Sequence, residues 1–135
     1  YADILNQRIK LWHQSLQICV RLFKTTTSYK KIQSIETSKN KKEKVITQEE
    51  LSLIYQEINE AFIEAMQELL EQYPSLTQDD LYYCILNYLQ LSNNTIKVCM
   101  KAGSQSALTQ RKYRIKKQLS DLSFSIIFDA KGESK

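Results

Sequence analysis

The residues best suited to recognition chemistry lie between positions 106 and 119, where apolar and polar side chains recur at helical spacing. At 100° per residue, Leu108, Ile115 and Leu119 fall within about 40° of one another and form a narrow apolar stripe. The opposite face carries side chains that can hydrogen-bond to base edges: Ser106, Thr109, Gln110, Tyr113 and Arg114. Basic side chains of the same segment suit phosphate contacts: Arg111, Lys112, Lys116 and Lys117. We expect a helix over 106–119 that enters the major groove of double-stranded DNA.

A shorter helix and a turn must position that segment. Ser92 can cap a helix whose buried face holds Ile96, Cys99 and Met100. The helix should end at residues 102–104, where Gly103 tolerates positive φ, and Ser104 or Ser106 can cap the next helix. The stretch 91–119 therefore predicts a helix-turn-helix.

The elements on either side complete a module over residues 74–128. Pro74 ends the preceding helix, and Thr77 caps a scaffold helix over 78–90. In residues 120–128, apolar and polar side chains alternate, which favours a short strand or extended tail, although a final helix remains open. Residues 129–135 should form a disordered tail.

The pattern of these residues resembles a known family over about residues 73–119. The residues that carry it are Leu76-Thr77, Asp80-Leu81, Leu91-Ser92-Asn93, Ile96, Ser104, Leu108, Ile115 and Leu119. They resemble the LuxR/GerE-type helix-turn-helix, whose pattern runs L-T-x-x-E-L, L-S-N-x-x-I-A and I-S-x-x-x-V before a basic helix. The resemblance is nearest to the C-terminal DNA-binding regions of Bacteroidetes transcriptional regulators. It implies that the chain is a DNA-binding fragment of such a regulator.

Length and composition favour an all-α fold around one modest core. The chain has 135 residues with only two Gly and one Pro, so few turns are available to connect many strands. Because it begins with Tyr1, we expect a piece of a longer protein, with any membrane attachment in upstream parts. Three widely spaced cysteines indicate buried thiols in a reducing cytoplasm rather than a disulfide framework.

Acidic and basic residues are segregated along the chain, which the net charge of +4 does not reveal. Residues 45–80 hold nine acidic side chains and no basic one, whereas residues 81–120 hold seven basic side chains and no acidic one. The basic segment suits a polyanion. If the five basic residues of the predicted helix each neutralise one phosphate, affinity should fall about 500-fold between 50 and 200 mM salt.

Residues 1–73 are expected to form a helical connector that dimerises. Leu5, Ile9, Trp12, Leu16, Cys19 and Phe23 follow a 4-3 spacing, as do Leu51, Tyr55, Ile58, Phe62, Ala65 and Leu69. A long helix should run from the capping box at Thr47 to about Gln72. Residues 24–46 are predicted to be a polar connector, in which only Tyr29, Ile32 and Ile35 suggest a turn of helix. Such seams are typical of a helical hairpin or coiled coil that forms a homodimer, or of helices packed within their own domain.

The sequence offers no pattern typical of an enzyme. It lacks a nucleophile with a base, a phosphate-binding glycine loop and closely spaced metal ligands, so we expect no catalysis, no metal and no cofactor. The alternative to DNA binding is a helical dimerisation or signalling module that binds a protein partner.

Overall fold

The computed structural model describes residues 2–38 and 46–129, and these residues form eight α-helices without a strand. The all-α class predicted from the sequence is confirmed. The helices are α1 (Ala2–Phe23), α2 (Thr27–Thr37), α3 (Gln48–Ala61), α4 (Ile63–Gln72), α5 (Gln78–Tyr88), α6 (Asn93–Met100), α7 (Gln105–Gln118) and α8 (Asp121–Phe128). Of the tail predicted over 129–135, all but Asp129 lies outside the described residues.

Six helices begin behind a Ser or Thr whose hydroxyl accepts a hydrogen bond from the first turn. These N-caps are Thr26, Thr47, Thr77, Ser92, Ser104 and Ser120. Glu50 and Asp80 complete capping boxes with Thr47 and Thr77. Each cap is worth about 1 kcal/mol, which explains why helices as short as α6 and α8 have defined starts. For α7 the cap is Ser104, so the open choice between Ser104 and Ser106 is resolved.

The seam predicted on α1 faces the protein's own core. Ile9, Trp12, Leu16 and Phe23 are buried, and α1 packs on α3, α4 and α8. The Trp12 indole Nε1 donates to the Ala65 carbonyl oxygen at 2.9 Å. The seam on α1 was compatible with a coiled coil or with packing inside the domain. The contacts of α1 with α3 and α4 show that it packs inside the domain. The same core cluster continues through α5 to α8, because α1 also contacts α8 and α3 contacts α5.

The predicted long helix from Thr47 to Gln72 is interrupted at Phe62. The backbone there has φ −107° and ψ 15°, while hydrogen bonds from Phe62 N to Ile58 O and from Met66 N to Phe62 O continue across the break. Phe62 is fully buried, with its ring 5.9 Å from that of Phe23. In the first half of this segment Ile54 is buried where the predicted seam had Leu51 and Tyr55, which are half-buried.

The segment predicted as a polar connector contains the three-turn helix α2. Thr26 caps it, and Ser28, Ile32 and Ile35 form its buried face against α3 and α6. The prediction was wrong for residues 27–37 because two isoleucines and one small serine are enough to bury a short helix. The Lys-rich residues 39–45 lie outside the described residues.

Residues 121–128 form helix α8, so the strand or extended tail is excluded in favour of the final helix. Ser123 and Ile127, four residues apart, are buried, and the Phe124 and Phe128 rings stack at 4.5 Å. The alternation of apolar and polar residues suggested a strand because Ser123 was taken as a solvent-facing residue. Ser123 is in fact buried, and its hydroxyl contacts those of Tyr73 and Ser120 at 3.3 and 3.1 Å. In the described part of the chain, no helix combines the length and the apolar character needed to cross a membrane.

The turn between α6 and α7 differs in one detail from the prediction. Lys101, not Gly103, adopts the left-handed conformation that ends α6, with φ 53°. Its N–H reaches the carbonyl oxygen of Val98 at 3.2 Å, and the Ala102 N–H reaches that of Lys97 at 3.0 Å. The exposed Gly103 does not have positive φ, and an added Cβ there would meet no atom within 4 Å.

Candidate nucleic-acid interface

Helix α7 is held by one buried edge and presents the rest of its surface outward. Leu108, Ile115 and the following Leu119 are buried, as the sequence predicted. The Tyr83 hydroxyl donates to the Leu108 carbonyl oxygen at 3.3 Å, and Ser75 bonds to the Gln118 side chain near the other end. The outward face consists of exposed residues: Ser106, Thr109, Gln110, Tyr113, Arg114 and Lys117. All five predicted base-facing residues thus lie on one accessible surface about 20 Å long.

A buried carboxylate ties α7 to the start of α5. Asp80 is 2% exposed, and its Oδ1 accepts from Arg111 Nη1 at 2.6 Å and from Arg114 Nη2 at 3.3 Å. Its Oδ2 accepts from the Thr77 backbone N–H at 3.0 Å. The Arg111 side chain keeps 24% exposure, so it lies inward, in contrast to the phosphate contact predicted for it. Arg114 shares the carboxylate but stays 58% exposed.

The surroundings of Asp80 favour its charged form. Burial by itself raises the pKa of the carboxyl, but the hydrogen bonds from Thr77 and Arg114 and the charge of Arg111 outweigh burial, so the pKa is lowered. Asp80 therefore stays ionised at neutral pH and fixes the rotation of α7. The capping-box pattern marked Asp80 in the sequence. Its ion pair with Arg111, 31 residues later, is visible only in the folded structure.

The three lysines of α7 lie above aromatic rings. Lys112 Nζ is 5.4 Å from the centroid of Phe128, and Lys116 Nζ is 5.5 Å from that of Phe124. Lys117 Nζ is 4.4 Å above Tyr113 on the outward face. The rings attract the ammonium groups but carry no net charge. The lysines therefore keep their positive charge and can still bind an anion. Lys112 and Lys116 form a basic flank beside α8, next to the face that carries Gln110.

The amino end of α6 is occupied by an internal carboxylate that sequence reasoning missed. Glu36 of α2 accepts from the Ser92 N–H at 2.9 and 3.1 Å, from the Ser92 hydroxyl at 3.1 Å and from the Thr95 hydroxyl. The amino end of a helix attracts anions, and in α6 the Glu36 carboxylate already occupies the position that a phosphate would take. One feature of the sequence could have indicated this contact: Glu36 is the only acidic residue between Asp3 and Glu43.

A cleft of about 330 Å³ lies beside the interface, between α3, α5, α6 and α7. Its walls include Tyr82, Lys101 and Arg111, and Lys101 also hydrogen-bonds to Gln48. The buried Tyr82 hydroxyl has no hydrogen-bond partner within the described ranges. Burial raises the pKa of the Cys99 thiol in this wall to about 12, with Glu36 adding to the effect, so the thiol is protonated and inert.

The described residues, 2–38 and 46–129, were compared with the ligand sets of metal ions and of disulfide bonds. Within those ranges, no three His, Cys, Asp or Glu side chains lie close enough together to hold a metal ion. Cys19, Cys84 and Cys99 are buried free thiols.

Comparisons with models of known protein families, with curated proteins and with solved structures give no significant match.

Proposed function

We propose that this chain is a DNA-binding fragment of a transcriptional regulator, with α7 in the major groove. The observation that carries the proposal is the outward face of α7, where hydrogen-bonding side chains lie side by side on a helix whose opposite edge is buried. A helix of this length and width fits the groove. The absence of acidic residues from 81–120 favours approach to a polyanion.

The proposal assigns different roles to the two kinds of side chain. Ser106, Thr109, Gln110, Tyr113 and Arg114 face bases, whereas Lys112, Lys116 and Lys117 hold phosphates. Arg111 acts as a positioning residue, because its guanidinium is bound to Asp80 and sets the angle at which α7 meets the groove. The phosphate contacts therefore number three lysines rather than the four basic residues inferred from the sequence.

The resemblance of residues 73–119 to the LuxR/GerE-type helix-turn-helix supports the same proposal. Its pattern positions coincide with the residues that bury α5, α6 and α7 here, among them Leu81, Ile96, Leu108 and Ile115. The resemblance also favours a role in transcription over general DNA packaging.

A second candidate is a helical dimerisation or signalling module that binds protein. Two observations favour it. Glu36 already fills the amino end of α6, and α1 exposes several large apolar side chains. On this alternative, α7 would meet an acidic protein surface in place of phosphate.

Selection from random duplex DNA separates the two candidates. The proposed function predicts enrichment of a short motif, and the enriched duplex should bind more tightly than a shuffled duplex of equal length. The control is a variant with Thr109→Ala and Gln110→Ala, which keeps every basic residue and should lose the enrichment. Recovery of no motif, together with equal binding of all duplexes, would favour the second candidate.

A further inference from the structure

The cleft between α3, α5, α6 and α7 combines an unpaired buried hydroxyl with basic side chains. Its volume of about 330 Å³ equals roughly eleven water-sized groups and lies at the lower end of the range for small-molecule sites. Tyr82 forms part of the wall, and its buried hydroxyl has no hydrogen-bond partner among the residues that the structure describes. Buried polar groups are normally hydrogen-bonded, so an unpaired hydroxyl beside an open cleft points to a ligand.

The Tyr82 hydroxyl lies at the floor of the cleft. Tyr82 is only 4% exposed, and its ring meets that of Tyr55 edge-on at a centroid distance of 4.9 Å. Burial raises the pKa of Tyr82, and the nearby Cys99 and Tyr55 add to the effect, so the hydroxyl lies close to both groups and stays protonated. Because Tyr55 and Cys99 also line the cleft, the hydroxyl borders the cavity and can exchange a hydrogen bond with a molecule inside it.

Two basic side chains line the same cleft nearer to solvent. Lys101 is exposed, and its ammonium group hydrogen-bonds to the neutral amide of Gln48 and to no carboxylate of the described residues. Arg111 donates through Nη1 to Asp80 but keeps 24% exposure, so its other N–H groups can reach the cleft. The mouth of the cleft therefore offers hydrogen-bond donors with positive charge.

The balance of charge around the cleft favours a monoanion. Asp79, the one acid among the described wall residues, is exposed, so water and salt screen its charge. Behind the wall, Arg111 and Arg114 share the single carboxylate of Asp80. Together with Lys101, three cations therefore face two carboxylates, and one positive charge is left. A carboxylate neutralises that charge and accepts hydrogen bonds from both Lys101 and Arg111.

The rest of the wall is partly apolar. Leu51 and Met100 are half-buried there, and a methionine side chain adapts readily to the shape of a ring. We propose that the cleft binds a small carboxylic acid with a ring-sized apolar body. Its carboxylate lies on Lys101 and Arg111, and a hydroxyl or carbonyl at its far end bonds to Tyr82. The proposal does not depend on DNA binding, because it concerns the protein alone.

Methyl NMR of the two methionines tests whether the cleft is occupied. The probe is 4-hydroxyphenylacetate, in which a ring separates a carboxylate from a hydroxyl. Met100 lines this cleft, whereas Met66 lies in another groove and is the internal control. We expect the probe to shift the Met100 signal alone, with a Kd of about 1 mM or below. Phenylacetate, which lacks the hydroxyl, should bind about fivefold more weakly, and the cation tyramine should leave the signal unchanged.

Tyr82→Phe separates ligand recognition from a structural role. The substitution removes an unpaired buried hydroxyl, so urea unfolding should show the free protein to be at least as stable as the wild type. The same variant should bind 4-hydroxyphenylacetate about fivefold more weakly and should no longer distinguish it from phenylacetate. The matched control is Tyr88→Phe, on the same helix but packed against His13, which should leave the affinity unchanged.

Lys101→Gln tests the charged end of the site. It shortens the side chain little but removes the charge, so both acids should bind at least about fivefold more weakly. Lys97→Gln, on α6 but outside the cleft wall, is the control, and circular dichroism checks the fold of both variants. An unmoved Met100 signal at about 10 mM 4-hydroxyphenylacetate would overturn the proposal. Equal binding of tyramine, or an affinity unchanged by Tyr82→Phe or by Lys101→Gln, would also overturn it, whatever the result of DNA-binding assays.

Discussion

Replacing Asp80 by Asn removes one buried charge while preserving the shape of the side chain. Asp80 is 2% exposed and accepts from Arg111, Arg114 and the Thr77 backbone N–H. The amide can still accept from Thr77, so the capping geometry survives. What is lost is the charge that holds the two guanidinium groups.

We expect Asp80→Asn to lower the free energy of unfolding by about 2–3 kcal/mol at pH 7. Breaking a fully enclosed ion pair costs about 3–5 kcal/mol. The cost is smaller here because Arg111 is 24% exposed and Arg114 is 58% exposed, so water can solvate both. For a chain of this size the loss corresponds to a fall in Tm of roughly 8–12 °C.

The pH dependence identifies the charge as the cause. The pKa of Asp80 is lowered in the folded protein, so its ionised form contributes stability above the ordinary carboxyl pKa of about 3.9. That contribution is lost as the pH falls through the lowered folded-state pKa. The difference between the wild type and Asp80→Asn should therefore be full at pH 7 and shrink as the pH falls below the ordinary carboxyl pKa of about 3.9 and through the lowered pKa of the folded protein.

Urea unfolding followed by circular dichroism from pH 2 to 7 measures this difference. The matched control is Asp79→Asn, an exposed acid in the same helical turn, which should cost no more than about 1 kcal/mol through the helix dipole. If the two variants are equally stable at pH 7, or if the gap for Asp80→Asn does not change with pH, the assigned role of the ion pair is incorrect.

Three further substitutions test the interface and its support. Gln110→Ala should flatten preference at one or two base pairs, worth about 1–3 kcal/mol of discrimination, and leave the salt dependence of binding unchanged. Lys117→Ala should instead weaken all duplexes alike and reduce the salt slope by about one unit, so equal uniform losses would show that the faces of α7 are wrongly assigned. Glu36→Gln should cost about 1–2 kcal/mol and speed hydrogen exchange at the amino end of α6, because a neutral amide replaces a carboxylate that accepts from Ser92 and Thr95. Glu60→Gln, on an exposed surface, is its control, and similar exchange in both variants would refute the role of Glu36.

Periodic apolar residues and caps made most of the helical framework predictable. The starts at Thr47, Thr77 and Ser92 and the buried edge of α7 follow from local chemistry that a single sequence displays. The predictions from the sequence were wrong where small polar residues lie on the buried face of a helix. Ser28 in α2 and Ser123 in α8 interrupt the apolar pattern but are buried, so an 11-residue helix was read as a connector and an eight-residue helix as a possible strand.

Pairings between distant segments account for the remaining differences. The exposed face of α7 follows from angular positions alone, but the inward placement of Arg111 depends on Asp80, 31 residues earlier. Likewise, Glu36 reaches Ser92 across 56 residues. The heptad spacing on α1 revealed a buried seam without showing whether its partner is internal, because α3 and α4 supply apolar surfaces of the same spacing.

The salt dependence of binding to the selected duplex tests the central proposal most directly. With Arg111 held by Asp80, three lysines of α7 are available for phosphates, so the slope of log K against log salt should be about −2.7. Affinity should then fall about 40-fold between 50 and 200 mM salt, compared with about 500-fold if five basic residues of α7 engaged phosphates. Undetectable or salt-independent binding would contradict the proposed function, and a 500-fold loss would contradict the inward assignment of Arg111.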